Sequence, residues 1–116
     1  FRDLTYVRDT VEGFIKMAQS KNSIGKVINV GRGECISIGT LADKIITKVN
    51  PNAKILTEQQ RIRPELSEVM KLECNNKLAE TILKWQPQIS LDLGLDYTID
   101  WMKMHLQNYK IQMYTV

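Results

Sequence analysis

Apolar residues recur along the chain in short runs of two kinds, and their spacing predicts which runs are strands and which are helices. Leu4-Thr5-Tyr6-Val7 is β-prone. Val11, Phe14, Ile15 and Ala18 then fall at i, i+3, i+4 and i+7, one apolar face of a helix that Asp9 or Thr10 can cap. Gly13 sits inside that helix, where glycine costs up to about 1 kcal/mol, so a close neighbour is expected over it. Lys26–Val30 is short, β-branched and bounded by glycines, which predicts a buried strand. Ser37 is placed to cap the next helix, whose stripe of Ile38, Leu41, Ala42, Ile45, Ile46 and Val49 is the strongest in the chain, and Asn50-Pro51 stops it. Ala53–Thr57 reads as a second short strand, residues 58–68 as a polar surface loop carrying Pro64, and Val69–Leu72 as a short extended piece. Asn75 or Asn76 caps a helix bearing Leu78, Ala79, Ile82 and Leu83, which ends near Trp85 and Pro87. Ser90 caps the last helix, striped by Leu95, Ile99, Met102 and Leu106, and a frayed tail is expected from Gln107.

The resulting order, β-α-β-α-β-loop-β-α-α, defines an α/β fold with few short strands and about four helices. So small a sheet leaves edges that ordinarily pair with further strands. The chain begins at Phe1 rather than Met, and the expectation is part of a larger α/β protein.

Composition narrows the classes. The 116 residues are 43% hydrophobic and 25% charged, which excludes disorder and suits one globular domain. No run approaches the ~18 apolar residues of a membrane span, and no signal peptide is legible, so a cytoplasmic protein is expected. Sixteen basic against thirteen acidic residues give a net charge of +3. The basic residues are spread out, with Arg61 and Arg63 the densest pair, and no basic stripe points to nucleic acid. Cys35 and Cys74 lie far apart and only His105 accompanies them, which predicts two free thiols and no zinc site.

Candidate chemistry is sparse. Gly31-Arg32-Gly33 follows a strand and precedes a helix, but the third glycine of a dinucleotide fingerprint would fall at Ile36. The loop reads instead as a turn needing positive φ. No Ser–His–Asp order, paired carboxylates or Tyr-x-x-x-Lys pair is present; Tyr6 is followed four residues later by Thr10, and Tyr97 by Trp101. No catalytic, cofactor-binding or metal-binding residue is therefore assigned. Arg61 and Arg63, in a loop stiffened by Pro64, and Arg2, just ahead of a strand, could hold an anion. The planar guanidinium makes two parallel charge-assisted hydrogen bonds of the kind a diphosphate accepts.

Taken together, these segments resemble a known family. Arg2-Asp3-Leu4-Thr5-Tyr6-Val7 with Asp9-Thr10, Lys26–Gly31 followed by Ile36-Ser37-Ile38-Gly39, Arg61-Ile62-Arg63-Pro64-Glu65-Leu66-Ser67-Glu68-Val69, Asn76-Lys77, Trp85-x-Pro87 and Ser90-Leu91-x-x-Gly94-Leu95 are similar, in order and spacing, to the C-terminal portion of extended short-chain dehydrogenases/reductases acting on nucleotide sugars. Within that NAD-dependent epimerase/dehydratase family the chain most resembles UDP- or GDP-N-acetylglucosamine 4,6-dehydratases of bacterial surface-sugar biosynthesis. The resemblance implies an extended Rossmann-type enzyme that takes a hydride from sugar C4 onto NAD, eliminates water across C5–C6 and returns the hydride to C6. It implies that residues 1–106 are the substrate-binding portion and 107–116 a tail. The NAD-binding glycine loop and the catalytic Tyr and Lys would lie in a preceding part, leaving this portion inactive alone, and the full-length enzyme would be a homodimer. By carry-over, Arg2 and Arg63 would hold the diphosphate, and Ser67 and Glu68 would position the loop or the ribose. Phe1, Arg32, Cys35, Asn75 and Asn76 depart from the family pattern. A nucleotide-sugar 4-epimerase and a non-catalytic nucleotide-binding or interaction module are the alternatives.

Overall fold

The computed structural model describes residues 1–57 and 69–109. Over these residues the fold is α/β, with more helix than strand. β1 (Arg2–Asp3) pairs antiparallel with β2 (Cys35–Ile36), Arg2 opposite Ile36 and Asp3 opposite Cys35. An isolated parallel bridge joins Arg2 to Leu72. Three α-helices follow the chain: α1 (Val7–Gln19), α2 (Ile38–Val49) and α3 (Leu91–Met104). A π-helical turn spans Ala79–Leu83, and single 3-10 turns span Lys21–Ser23 and Leu106–Asn108.

The helices whose signals are local form where the spacing places them. The Ser37 hydroxyl accepts from the Thr40 amide at 3.0 Å, and Asn50 ends α2. The Ser90 hydroxyl accepts from the Leu93 amide at 3.2 Å and starts α3. Of the two asparagines offered as caps, Asn75 does the capping, accepting from the Lys77 amide at 3.2 Å, while the Asn76 amide turns to the Gly31 carbonyl at 3.0 Å.

Four expectations change. The β-prone run is not a strand: β1 lies earlier, at Arg2–Asp3, and Val7 already belongs to α1. Neither Asp9 nor Thr10 caps α1; Tyr6 is its N-cap residue, because the Asp9 carboxylate is drawn inward to the Ile89 amide at 2.9 Å. Lys26–Val30 and Ala53–Thr57 form no ladder among the described residues, and Val27 is 88% exposed. A strand exists only with a partner, and neither run finds one here. Gln107, where the frayed tail is expected to begin, lies in the 3-10 turn Leu106–Asn108, and residues 110–116 of that tail lie outside the described residues.

The core is small. Ala79, Leu83 and Trp85 are its buried members, and Met17, Ile28, Val30 and Ile82 pack against them. The apolar stripe of α1 does not face it, since Val11, Phe14 and Ile15 are exposed while Asp9 and Gly13 are buried. Gly13 explains the approach: a Cβ there would lie 2.6 Å from Val30 Cγ1 and 3.4 Å from Trp85 Cε2. Bare backbone lets Val30 seat directly on the helix, which is the close neighbour the sequence called for.

Candidate functional site

Arg2 is placed by β1. Its Nη1 donates to the carbonyls of Phe1 and Val69, each at 2.8 Å. Val69 immediately follows Glu68, and residues 70–72 run beside β1. The Phe1 amino group donates to the Met70 carbonyl at 2.6 Å, the Leu72 amide to the Phe1 carbonyl at 3.1 Å, and the Asp3 amide to the Leu72 carbonyl at 3.0 Å. Arg2 is therefore held against the chain where it leaves residues 58–68. The other candidate binding residues, Arg63, Ser67 and Glu68, lie outside the described residues, as does Arg61.

Behind Arg2 is a polar clasp that sequence reasoning did not assign. The Asp3 carboxylate accepts from three backbone amides: Gly33 at 2.7 Å, Arg32 at 3.1 Å and Cys74 at 3.1 Å. Gly33 adopts φ +78°, which turns its amide alongside that of Arg32 toward one acceptor. The positive φ read from the glycines is thus present at Gly33. Amides that a bound pyrophosphate would use in a dinucleotide loop are occupied here by an internal carboxylate. The Arg32 side chain extends the clasp, donating through Nη1 to the Ile89 carbonyl at 3.0 Å and pairing through Nε with Glu34 at 3.0 Å. Ile89 in turn donates to Asp9, and the Trp85 indole donates to the Asp9 carbonyl at 3.1 Å. The sequence signals for Asp3 and Asp9 were their position within the Arg2–Thr10 segment and, for Asp9, a helix cap it does not form; their partners lie 29 to 80 residues away.

Other polar groups are structural. Burial pushes the Cys35 and Cys74 thiols up, the neighbouring Glu73 adding to the effect at Cys35 and Asp3 at Cys74. Both are free thiols, and a raised pKa disfavours the thiolate nucleophile. The hydrogen bond from Lys71 holds the Glu73 carboxyl below the usual range. His105 stacks on Trp101 with centroids 4.3 Å apart, its Nδ1 2.7 Å from the Trp101 carbonyl. Tyr6 packs against the Tyr97 ring at 5.5 Å. Among the described residues no group of three or more His, Cys, Asp or Glu could hold a metal ion, and no helix is long and apolar enough to cross a membrane. A groove of 540 Å³ runs between α1 and the segments 28–30 and 72–75, with Arg2, Asp3, Phe14, Asn29 and Leu72 in its wall. Arg2 is the arginine among its lining residues.

The arrangement matches known proteins along most of its length. A family model described as GDP-mannose 4,6 dehydratase matches residues 1–98. A UDP-glucuronate 4-epimerase of Thermodesulfobacterium geofontis is 28% identical over 110 residues, 94% of this chain and 32% of the relative. Among solved structures, the epimerase Mth375 of Methanothermobacter thermautotrophicus superposes with a TM-score of 0.84 at 27% identity, covering 92% of this chain and 31% of that one. The Bordetella bronchiseptica enzyme WbmF, solved in complex with NADH, does so with a TM-score of 0.72 at 31% identity, covering 92% of this chain and 30% of that one. The chain thus spans about a third of the length of the relatives it matches.

Proposed function

The chain belongs to the GDP-mannose 4,6 dehydratase family of extended short-chain dehydrogenase/reductase nucleotide-sugar enzymes, and on that premise we propose that residues 1–106 are the C-terminal, substrate-binding portion of an NAD-dependent nucleotide-sugar 4,6-dehydratase, followed by a tail of residues 107–116. The observation that carries this reading is the seating of Arg2. Its guanidinium donates to the Val69 carbonyl, which lies six residues along the chain from Arg63. Arg2 and Arg63 grip the diphosphate, and Ser67 and Glu68 position the loop or ribose. The ligand is a nucleotide-diphosphate sugar of bacterial surface-sugar biosynthesis, and the enzyme acts as a cytoplasmic homodimer.

NAD does not fit the residues described here. The one glycine loop that follows an extended run spends its amides on Asp3. The cofactor and the catalytic base belong to a part of the enzyme that precedes these residues. A 4-epimerase is the second reading, supported by the name of the Thermodesulfobacterium relative, while the Methanothermobacter protein is named as an epimerase without a position.

Two measurements test the proposal. Arg63→Ala in the full-length protein is expected to weaken nucleotide-sugar binding by about 1.5–3 kcal/mol, the scale of a hydrogen bond to a charged group; calorimetric titration reads it, and unchanged affinity removes Arg63 from the site. The 116-residue chain alone, incubated with NAD and UDP-N-acetylglucosamine, is expected to give no product on chromatography. Turnover by that chain overturns the assignment of catalysis to another part.

A further inference from the structure

We infer that Asp3 is a positioning residue for the nucleotide grip, its carboxylate fixing the backbone from which Arg2 reaches the Val69 carbonyl. This rests on the proposed role of Arg2 and adds a residue that does not itself touch the nucleotide. Successive side chains of a strand leave opposite faces. In β1, Asp3 turns to the Gly31–Gly33 loop and Cys74, while Arg2 turns to Val69. The three amides that converge on Asp3 come from two distant segments, 29 to 71 residues along the chain. One carboxylate therefore sets the register among β1, the Gly31–Gly33 loop and residues 72–74 simultaneously. Buried donors seek an acceptor, and an ionised carboxylate is a strong one. Removing it leaves the Arg32, Gly33 and Cys74 amides aimed at one place with no acceptor there. The segment 70–72, which follows the Val69 carbonyl that holds Arg2, then loses the tie from Cys74 to Asp3 and is left with its backbone contacts to Phe1 and Asp3 and the Cys35 thiol on the Leu72 carbonyl.

The test is a double-mutant cycle in the native full-length protein, read as Kd by calorimetry. The probes are NAD and whichever of UDP- and GDP-N-acetylglucosamine the wild type binds. Arg2→Ala and Asp3→Asn are each expected to raise the nucleotide-sugar Kd about tenfold, the scale of one charged hydrogen bond. The double variant is expected to be no more than about threefold weaker than Arg2→Ala, because both changes remove one interaction. The Kd for NAD is expected to stay within about twofold in all three, which a general loss of structure would not allow. Full additivity, or an Asp3→Asn protein with unchanged nucleotide-sugar affinity beside a weakened Arg2→Ala, overturns the positioning role and leaves the proposed function standing. An unchanged Arg2→Ala, or a wild type that binds neither nucleotide sugar, overturns the role of Arg2 and the positioning role with it. Should Asp3→Asn not fold, Asp3→Ser, which keeps a short acceptor without the charge, is read by the same criteria.

Discussion

Gly31 is a residue whose importance comes from what fills its missing side chain. An added Cβ would lie 2.5 Å from the Cys74 Cβ and 2.7 Å from its Sγ. Both Cβ atoms are fixed to the backbone, so rotation of the Cys74 thiol moves the sulfur but not the 2.5 Å contact. Gly31→Ala is therefore expected to cost about 1–3 kcal/mol, the range for overpacking, read as a lower urea midpoint at unchanged m. Gly39→Ala is the contrast: its nearest neighbour would be the Ser37 hydroxyl at 3.8 Å, within the first turn of α2. It is expected to stabilise by about 0.4–1 kcal/mol, by restricting the unfolded chain. Equal losses at the two positions would count against crowding as the cause. The sequence marked Gly31 as part of a turn but not as the seat of Cys74, because a contact across 43 residues leaves no trace in local spacing. The same limit hid Asp3 and Asp9. Arg2 was legible through its family segment, while its geometry against Val69 was not.

At the level of elements, caps carried the information. Ser37, Asn75 and Ser90 announce helices because a hydroxyl or amide oxygen meets an amide two or three residues on. Strands carry no such local signature, and Lys26–Val30 has no ladder among the described residues although its composition is that of a buried strand. Helices α2 and α3 run side by side in the same direction, stitched by Lys44 to Asp92 at 2.9 Å and Lys48 to Asp96 at 2.6 Å. The Lys44 hydrogen bond holds the Asp92 carboxyl below its ordinary value of 3.8. A depressed carboxylate stabilises the fold above its unfolded pKa, and that contribution disappears as pH falls through the folded value. The stability difference between wild type and Asp92→Asn is thus expected to be constant near neutrality and to shrink below pH 3.8. Urea midpoints across that range check it, and a difference that grows on acidification contradicts the sign. The π-helical turn Ala79–Leu83 closes with the Lys84 amide donating to the Ala79 carbonyl, and the Trp85 amide reaches the same carbonyl at 3.3 Å. A π turn holds one residue more than an α turn. Deleting Thr81 is expected to restore regular α-helix, rotate Trp85 by about 100° and remove it from the Asp9 carbonyl. Loss of the near-ultraviolet circular dichroism of the buried indole would report the rotation.

Across the whole molecule, burial is thin. The radius of gyration is 17.2 Å, against about 13 Å for a compact chain of this length. Val7, Phe14, Ile24, Val27, Ile55, Leu56 and Met70 are all exposed, and exposed apolar surface on this scale marks an interface or an aggregation liability. The 116-residue chain alone is therefore expected to self-associate with rising concentration and to enhance the fluorescence of a naphthalene-sulfonate dye. A concentration-independent mass of 13.4 kDa by light scattering contradicts this.

The contacts that organise the molecule also impose an order in time. Phe1, Arg2, Asp3 and Asp9 bind Met70, Val69, Cys74, Trp85 and Ile89, at separations of 67 to 80 residues. Contacts so distant in sequence close late, because the loop entropy must be lost before they form. During synthesis, Asp3 can meet the Arg32 and Gly33 amides early, but Asp9 waits for Trp85 and Ile89, its partners 76 and 80 residues on. For most of its synthesis this stretch of chain has helices but no core, and a stall anywhere before Trp85 leaves the Asp9–Gly13 face of α1 uncovered and available to chaperones.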